Sequence, residues 1–471
     1  MRKAKIVCTI GPSSSSKSVI RGLIKAGMNV ARLNFSHGSH EDHQKAVEII
    51  RETAKASGSP VAILQDLGGI KIRVGSLKGG SVMLKKGSTL KIVTEQIEGD
   101  EKIVSISYPH LLDDAAIGDR ILLDDGLLQL EVLKKGKGYL MTRVIEGGVL
   151  KERKGVNLPG MDISVSSFTK KDKEDLSFGI EMGVDYIAMS FVRSSEDVKE
   201  LKKWLRKKNA NIPVIAKIEK PQAVEDIDAI LEVSDGLMIA RGDLGVELST
   251  EKVPLLQKAL IEKANKSVKL VITATQMLES MTDHSRPTRA EAADVANAVL
   301  DGTDGLMLSA ETASGRHPVQ VVKMMHRIIH YTEVNRDKTT FIRPSVETTH
   351  GAVVESACRA AGKINAKALI AFTQSGGTAL LASKFRPSVP IIAYTLSEET
   401  LRKMNLYWGV TPRLMRPLQN TDEMIFEVEK ALLKDRFAKN GDVIVIIASS
   451  PLSLRGRTNL MKIHRIDHNI S

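Results

Sequence analysis

The stretch Val214-Ile215-Ala216-Lys217-Ile218-Glu219-Lys220-Pro221 begins as an apolar run of strand length and leaves it through charged side chains. Lys217 and Glu219 stand two residues apart, the spacing at which strand side chains return to one face. Seven further runs share this form: Ile6 to Ile10, Val30 to Leu33, Val61 to Leu64, Tyr186 to Met189, Leu237 to Ala240, Leu270 to Ala274 and Leu306 to Leu308. Their exits are polar or charged: Thr9, Arg32 with Asn34, Asp66, Ser190, Asp243, Thr275 and Glu311. Helical patterns such as Ser194 to Lys208 and Val253 to Asn265 lie between them. Continuously apolar strands alternating with helices are what a parallel sheet covered on both faces requires. Eight such units predict a closed (β/α)8 TIM barrel, whose strand ends converge at one mouth.

The alternation breaks between residues 71 and 164, where Gly79-Gly80, Gly87, Gly118 and Gly136 to Gly138 punctuate alternating runs such as Thr89 to Thr94. An inserted β lid domain is expected there, hinged on the barrel. After residue 340 a second α/β pattern begins, with strands at Ala368 to Phe372, Ile391 to Tyr394 and Val443 to Ile447. The expected division is therefore 1–70 with 165–340 for the barrel, 71–164 for the lid and 341–471 for a C-terminal α/β domain. The 471 residues suit about three domains of roughly 150 residues each. Ser13 to Ser16 reads as a helix cap.

Composition narrows the function classes. Hydrophobic residues make up 42% and charged residues 26%, the balance of a folded globular chain. No run approaches the roughly 18 apolar residues of a spanning helix. The N-terminal segment lacks the apolar core of a signal peptide, and the two cysteines, Cys8 and Cys358, make no disulfide framework. A cytoplasmic location is expected. The net charge of +12 raises nucleic acid as a partner, yet 4% aromatic residues leave little for base stacking. Seven of those twelve charges lie in residues 341–471, and anionic small molecules explain them equally well.

The strand exits carry the chemistry. Glu219 and Asp243, from neighbouring strands, would make an oxygen-only site suited to Mg²⁺ or Mn²⁺. Lys217 beside such a cation could stabilise an enolate or a transferring phosphoryl group; the plainer alternative is a set of salt bridges at the mouth. Gly242 offers backbone N–H groups to a carboxylate at a helix start, and the Thr275 hydroxyl could reach the same group or simply cap a helix. Across the mouth, Arg32-Leu33-Asn34-Phe35-Ser36-His37-Gly38 brings an arginine fork for phosphate together with an imidazole. No P-loop, dinucleotide fingerprint, nucleophile elbow or His-Glu-x-x-His helix accompanies them.

Taken together, Cys8 to Pro12, Arg32 to Gly38, Lys154-Gly155-Val156-Asn157-Leu158-Pro159-Gly160, Ala216 to Glu219, Ala240 to Glu247, Ala274 to Ser280, Arg286 to Glu291, Asp294 to Asp304, and Met307 to Ser309 with Glu311-Thr312 resemble the pyruvate kinase family over essentially the whole chain. The resemblance implies phosphoryl transfer from phosphoenolpyruvate to ADP, giving ATP and an enolpyruvate that is protonated to pyruvate. It implies that Lys217 stabilises the phosphoryl group, that Glu219 and Asp243 hold the divalent metal, and that Gly242, Asp243 and Thr275 bind the substrate carboxylate. By the same resemblance Arg32 neutralises phosphate charge, and Asn34, Ser36, His37, Arg73 and Lys171 face the nucleotide. A homotetramer with a regulatory C-terminal domain is implied too. The rival readings are an Mg²⁺-dependent 2-oxo-acid aldolase barrel and a non-catalytic basic binding protein.

Two segments depart from the family pattern. Many members hold a monovalent cation at positions matching Asn34, Ser36, Asp66 and Leu67, next to an acidic residue. Here Asp66-Leu67-Gly68-Gly69-Ile70-Lys71 has leucine where threonine is usual and lysine in place of the acid. The expectation is that the Lys71 ammonium supplies the charge K⁺ supplies elsewhere, so that K⁺ is not required. Thr373-Gln374-Ser375-Gly376-Gly377-Thr378 matches the family's effector phosphate loop, while the second loop, Ser449 to Thr458, has fewer glycines than usual. AMP or a sugar phosphate is the effector class expected.

Overall fold

A computed structural model describes residues 2–335, 344–450 and 458–467. Eight strands, Lys5–Thr9, Val30–Asn34, Ala62–Asp66, Tyr186–Met189, Val214–Ile218, Gly236–Ala240, Leu270–Ala274 and Gly305–Leu308, close into a barrel in chain order. Every neighbouring pair is parallel, and the last strand returns to the first. The strands are buried almost throughout, because one face fills the barrel interior and the other packs beneath helices. Local chemistry starts these helices where the sequence puts them. The Ser16 side chain accepts from the Val19 N–H, and Ser39 with Asp42, Thr169 with Asp172 and Thr288 with Glu291 form reciprocal capping boxes.

Between the third and fourth barrel strands the chain builds a six-stranded and a two-stranded sheet around one apolar core that includes Leu90, Ile92, Ile121 and Leu130. Where the chain leaves the barrel, Gly69 has φ +61°, and a Cβ there would lie 2.7 Å from the Phe191 ring. Only glycine fits that hinge without displacing the ring. On the return side Arg193 donates to the carbonyls of Ile163 and Val165.

The C-terminal sheet has the order Val410–Leu414, Ile391–Thr395, Leu369–Phe372, Val443–Ala448, Leu460–Arg465, with the last strand antiparallel. The sequence reading misses both edge strands. Val410–Leu414 carries Pro412, which an edge tolerates, and Leu460–Arg465 is mostly solvated, so neither shows an apolar period. Of the second effector loop, residues 451–457 lie outside the described residues.

The C-terminal unit forms the floor of the barrel. Leu406, Met404 and Tyr407 join the barrel-interior side chains Val7, Ile215 and Met307 in one continuous apolar cluster. Buried acids at two strand starts receive cations there. Asp304 takes Lys384 and Arg386, and Asp185 takes Arg51 and Arg402. Lys5 reaches from the first strand to the Val410 carbonyl at 2.6 Å. Burial, with the nearby Arg2 charge, pushes the Lys5 ammonium down to about 7.

Because Lys5 titrates lower in the folded chain than in the unfolded one, the unfolded state binds more protons above pH 7, and stability rises with pH there. Denaturant midpoints should show a gain on the order of 2 kcal/mol from this group between pH 7 and 9. Lys5→Met should flatten that slope, and an unchanged slope would show that Lys5 is solvated.

Candidate active site

Five strand ends build one ion cluster. Asp66, at the end of the third strand, is 1% exposed and sits between Arg32 Nε at 2.6 Å and Lys217 Nζ at 3.3 Å. Arg32 also donates through Nη1 to the Thr9 hydroxyl at 2.9 Å. Lys217 donates to the Ser190 hydroxyl at 2.6 Å and is ion-paired with Glu219 Oε1 at 2.8 Å. Burial works against the Lys217 charge, but Asp66 and Glu219 outweigh it and hold the ammonium above its ordinary range. The same attractions, from Lys217 first and Arg32 second, keep the Asp66 carboxylate below its ordinary range despite burial. The second Glu219 oxygen accepts the Phe191 N–H at 2.7 Å. Asp243 stands close enough to matter: burial first and the Glu219 charge second push its carboxyl up to about 7.

The next two strand ends supply a strained turn. Thr275 and Gln276 have φ of +65° and +55°, a region that a β-branched residue adopts only under constraint. Arg241 is that constraint. Its Nη2 donates to the Thr275 carbonyl at 2.7 Å and its Nε to the Ala274 carbonyl at 3.3 Å, while Nη1 is anchored on Asp294 at 2.7 Å. The Thr275 hydroxyl accepts the Gly242 N–H at 2.8 Å and donates to the Ala274 carbonyl. The two groups expected to meet a substrate carboxylate therefore hold each other in place.

On the opposite side, the Asn34 side chain accepts the Ser36 N–H at 3.1 Å, turning the chain so that the Ser36 carbonyl receives Lys71 Nζ at 2.9 Å. Burial, then Arg73, Lys171 and Lys217, push the Lys71 ammonium down to about 8. The His37 imidazole is lowered by burial and then by Lys71, Arg73 and Arg32. So many cations around one opening make it a receptor for anions. Lys71, Arg73, Lys220 and Asp243 line a cleft of about 170 Å³ between lid and barrel. Lys171 is engaged by Asp175 and the Phe35 carbonyl. Leu67 is buried, and its carbonyl accepts the Ser190 hydroxyl.

The structure thus brings Arg32, Asp66, Lys217, Glu219 and Asp243 together, with Gly242 and Thr275 on one flank and Asn34, Ser36, His37, Lys71 and Arg73 on the other. Thr373 to Thr378 belong to the C-terminal unit. There Gly376, φ +92°, caps the helix Gly377–Lys384, its N–H bonded to the Thr373 hydroxyl, and Thr378 meets Thr458. Sequence reasoning passed over Arg241, Phe191, Lys220 and Glu247, although Arg241 and Lys220 adjoin quoted site residues.

The family model described as "Pyruvate kinase, barrel domain" matches residues 1–322, and "Pyruvate kinase, alpha/beta domain" matches residues 351–464. The chain belongs to the pyruvate kinase family. A pyruvate kinase of Geobacillus stearothermophilus is 48% identical over 472 residues, spanning 99% of this chain and 80% of that protein. One from Staphylococcus aureus is 46% identical over 480 residues, spanning 100% and 82%. The crystal structure of a pyruvate kinase from Cryptosporidium parvum superposes with a TM-score of 0.92 at 39% identity, covering 99% of this chain and 96% of that one.

Pyruvate kinases are metal-dependent, and the donor set here fits a hard divalent cation. Among the described residues no group of three or more His, Cys, Asp or Glu could hold a metal ion. Two carboxylates, Glu219 and Asp243, suit Mg²⁺, which takes one or two protein carboxylates and leaves its other positions to water and substrate oxygens. Asp243 is raised by burial first and by the Glu219 charge second, with Lys217 working against both.

Arg241→Lys keeps the charge but loses the fork that spans two carbonyls and Asp294. It should lower kcat for pyruvate formation about tenfold to a hundredfold through the released Thr275 turn. Steady-state rates beside a thermal melt check this; an unchanged kcat would show that the turn holds itself.

Proposed function

We propose that Lys217 stabilises the transferring phosphoryl group in the pyruvate kinase reaction, in which phosphoenolpyruvate donates to ADP and yields pyruvate and ATP. One observation carries the reading: a buried ammonium, kept charged by Asp66 and Glu219, stands where five strand ends meet beside the carboxylate pair. Phosphoryl transfer asks a protein for positioning and charge neutralisation more than for covalent chemistry. Arg32 shares the neutralisation, since Nε and Nη1 are bonded to Asp66 and Thr9 and the fork retains further donors for a phosphate oxygen. Gly242, Asp243 and Thr275 hold the substrate carboxylate, with Thr275 and water on the path of the proton that reaches the enolate. Asn34, Ser36, His37, Arg73 and Lys171 face the nucleotide.

Glu219 and Asp243 are the residues that hold Mg²⁺ or Mn²⁺, which when bound polarises substrate oxygens and offsets phosphoryl charge. Lys71 takes the place of the monovalent cation: its ammonium lies on the Ser36 carbonyl, within the field of Arg73, Lys171 and Lys217. The lid spans 71–164 between barrel segments 1–70 and 165–340, and the 341–471 domain takes an AMP or sugar-phosphate effector at Thr373, Ser375, Gly376, Gly377 and Thr378. The glycine turn and the helix that follows it support that reading. The enzyme works as a cytoplasmic homotetramer, without nucleic-acid or membrane partners; among the described residues no helix is long and apolar enough to cross a membrane. Family membership favours this reading over the aldolase barrel and the basic binding protein.

Two measurements test these roles. Lys217→Met should lower kcat by about a thousandfold or more, and a loss under tenfold would remove Lys217 from the reaction. Initial rates of pyruvate formation with ADP and Mg²⁺ should be the same in potassium-free buffer and with K⁺ added. Lys71→Met should lower the potassium-free rate and become K⁺-stimulated. Activity of the unaltered chain only with K⁺ would sink the Lys71 assignment while leaving the kinase intact.

A further inference from the structure

Glu247 joins three parts of the molecule through one oxygen atom. Asn157, on the lid strand Val156–Asn157 that pairs with Arg120–Leu123, donates from Nδ2 to Glu247 Oε1 at 3.0 Å. Lys220, the residue after Glu219, donates to the same Oε1 at 2.5 Å. Glu247 itself ends the helix Arg241–Glu247, which carries Gly242 and Asp243. Lys220 and Glu247 are 7% and 5% exposed, and Oε2 of Glu247 is buried with no hydrogen-bond partner. Both side-chain hydrogen bonds to this buried carboxylate therefore arrive at one atom, the counter-charge from Lys220 and a neutral amide from the lid. A buried ion pair with one member under-bonded is costly to hold by packing alone and sensitive to the loss of either donor.

We infer that Glu247 is a positioning residue that ties the lid to both carboxylates of the metal site, through Asn157 on one side and Lys220 on the other. The inference rests on the assignment of Glu219 and Asp243 to the metal. Its physical content is a coupling: where the lid strand stands fixes the carboxylate to which the Glu219 loop and the Asp243 helix are anchored. Lys220 also lies 6.0 Å from the Phe191 ring, and Phe191 donates its N–H to Glu219, so the tie reaches Glu219 from two directions.

The test uses the full chain. Asn157→Ala should speed amide hydrogen exchange across 217–220, far from the altered side chain in sequence, by about threefold or more. It should lower kcat about tenfold with the KM for phosphoenolpyruvate within about twofold. Asn157→Asp, which sets carboxylate against carboxylate, should lose more. Adding Glu247→Gln should restore the Asn157→Asp chain to within about threefold of the unaltered rate, because the two changes exchange acceptor and donor and leave Lys220 one carboxylate. Unmoved exchange at 217–220, or losses that simply add in the double variant, would overturn the tie. Faster exchange with unchanged kcat would overturn the positioning role while leaving the assignment of Glu219 and Asp243 to the metal intact.

Discussion

Asp66 is the charge on which the mouth of the barrel depends. It is almost fully buried, and it holds Arg32 on one oxygen and Lys217 on the other. A buried carboxylate stripped of its partners costs several kcal/mol, on the order of 3–5. Two cations and the two acids Asp66 and Glu219 make a set that is neutral before substrate arrives, which is why it can be assembled out of water at all. On the role proposed for Arg32 and Lys217, the cations are already in place, so no reorganisation is needed when phosphoryl charge enters. The anions that keep Lys217 charged also keep it from leaving.

The same device recurs at the other end of the barrel. Asp185 and Asp304 stand at strand starts, each buried and each shared by two cations, one or both supplied by the C-terminal unit. The floor clusters are closed by side chains of the C-terminal unit. Barrel and C-terminal unit are therefore joined by buried charge as well as by a continuous apolar cluster, and charges of this kind fix one arrangement because a slipped one would leave ions unpaired.

Much of this was legible in the residues, for reasons that differ from place to place. The barrel strands carry apolar residues on both faces and change character abruptly at their ends, so their positions were read to within a residue or two. Lys217 and Glu219 were legible together because strand period puts them on one face. The pairing of Arg32 with Asp66 was not, since the two strand ends lie far apart in sequence and spacing does not tell which charge turns inward. Lys171 and Asp175 stand four residues apart on one helix, a spacing that does announce a pair. Glu247 and Lys220 lacked any such signal: a charged residue at a helix end or beyond a strand looks the same whether it is solvated or buried. The edge strands Val410–Leu414 and Leu460–Arg465 were missed because Pro412 interrupts the first and the second leaves most of its side chains in contact with solvent on both faces.

Backbone strain shows where the barrel's regular geometry gives way to the site. Phe191, Thr275 and Gln276 have positive φ although none is glycine, and all three stand within two residues of a barrel strand's end. Each such residue costs about 1–3 kcal/mol and persists only where its surroundings enforce it. At Phe191 the enforcement comes from Glu219, which accepts its N–H; at Thr275 it comes from Arg241, which holds its carbonyl. In both places a group of the site is bonded to the strained backbone itself, so relaxing the turn would move Glu219 or the Thr275 hydroxyl. The strain and the site geometry are thus one structure: the closed barrel supplies a frame stiff enough to hold three unfavourable residues, and those residues set the places of Glu219 and the Thr275 hydroxyl.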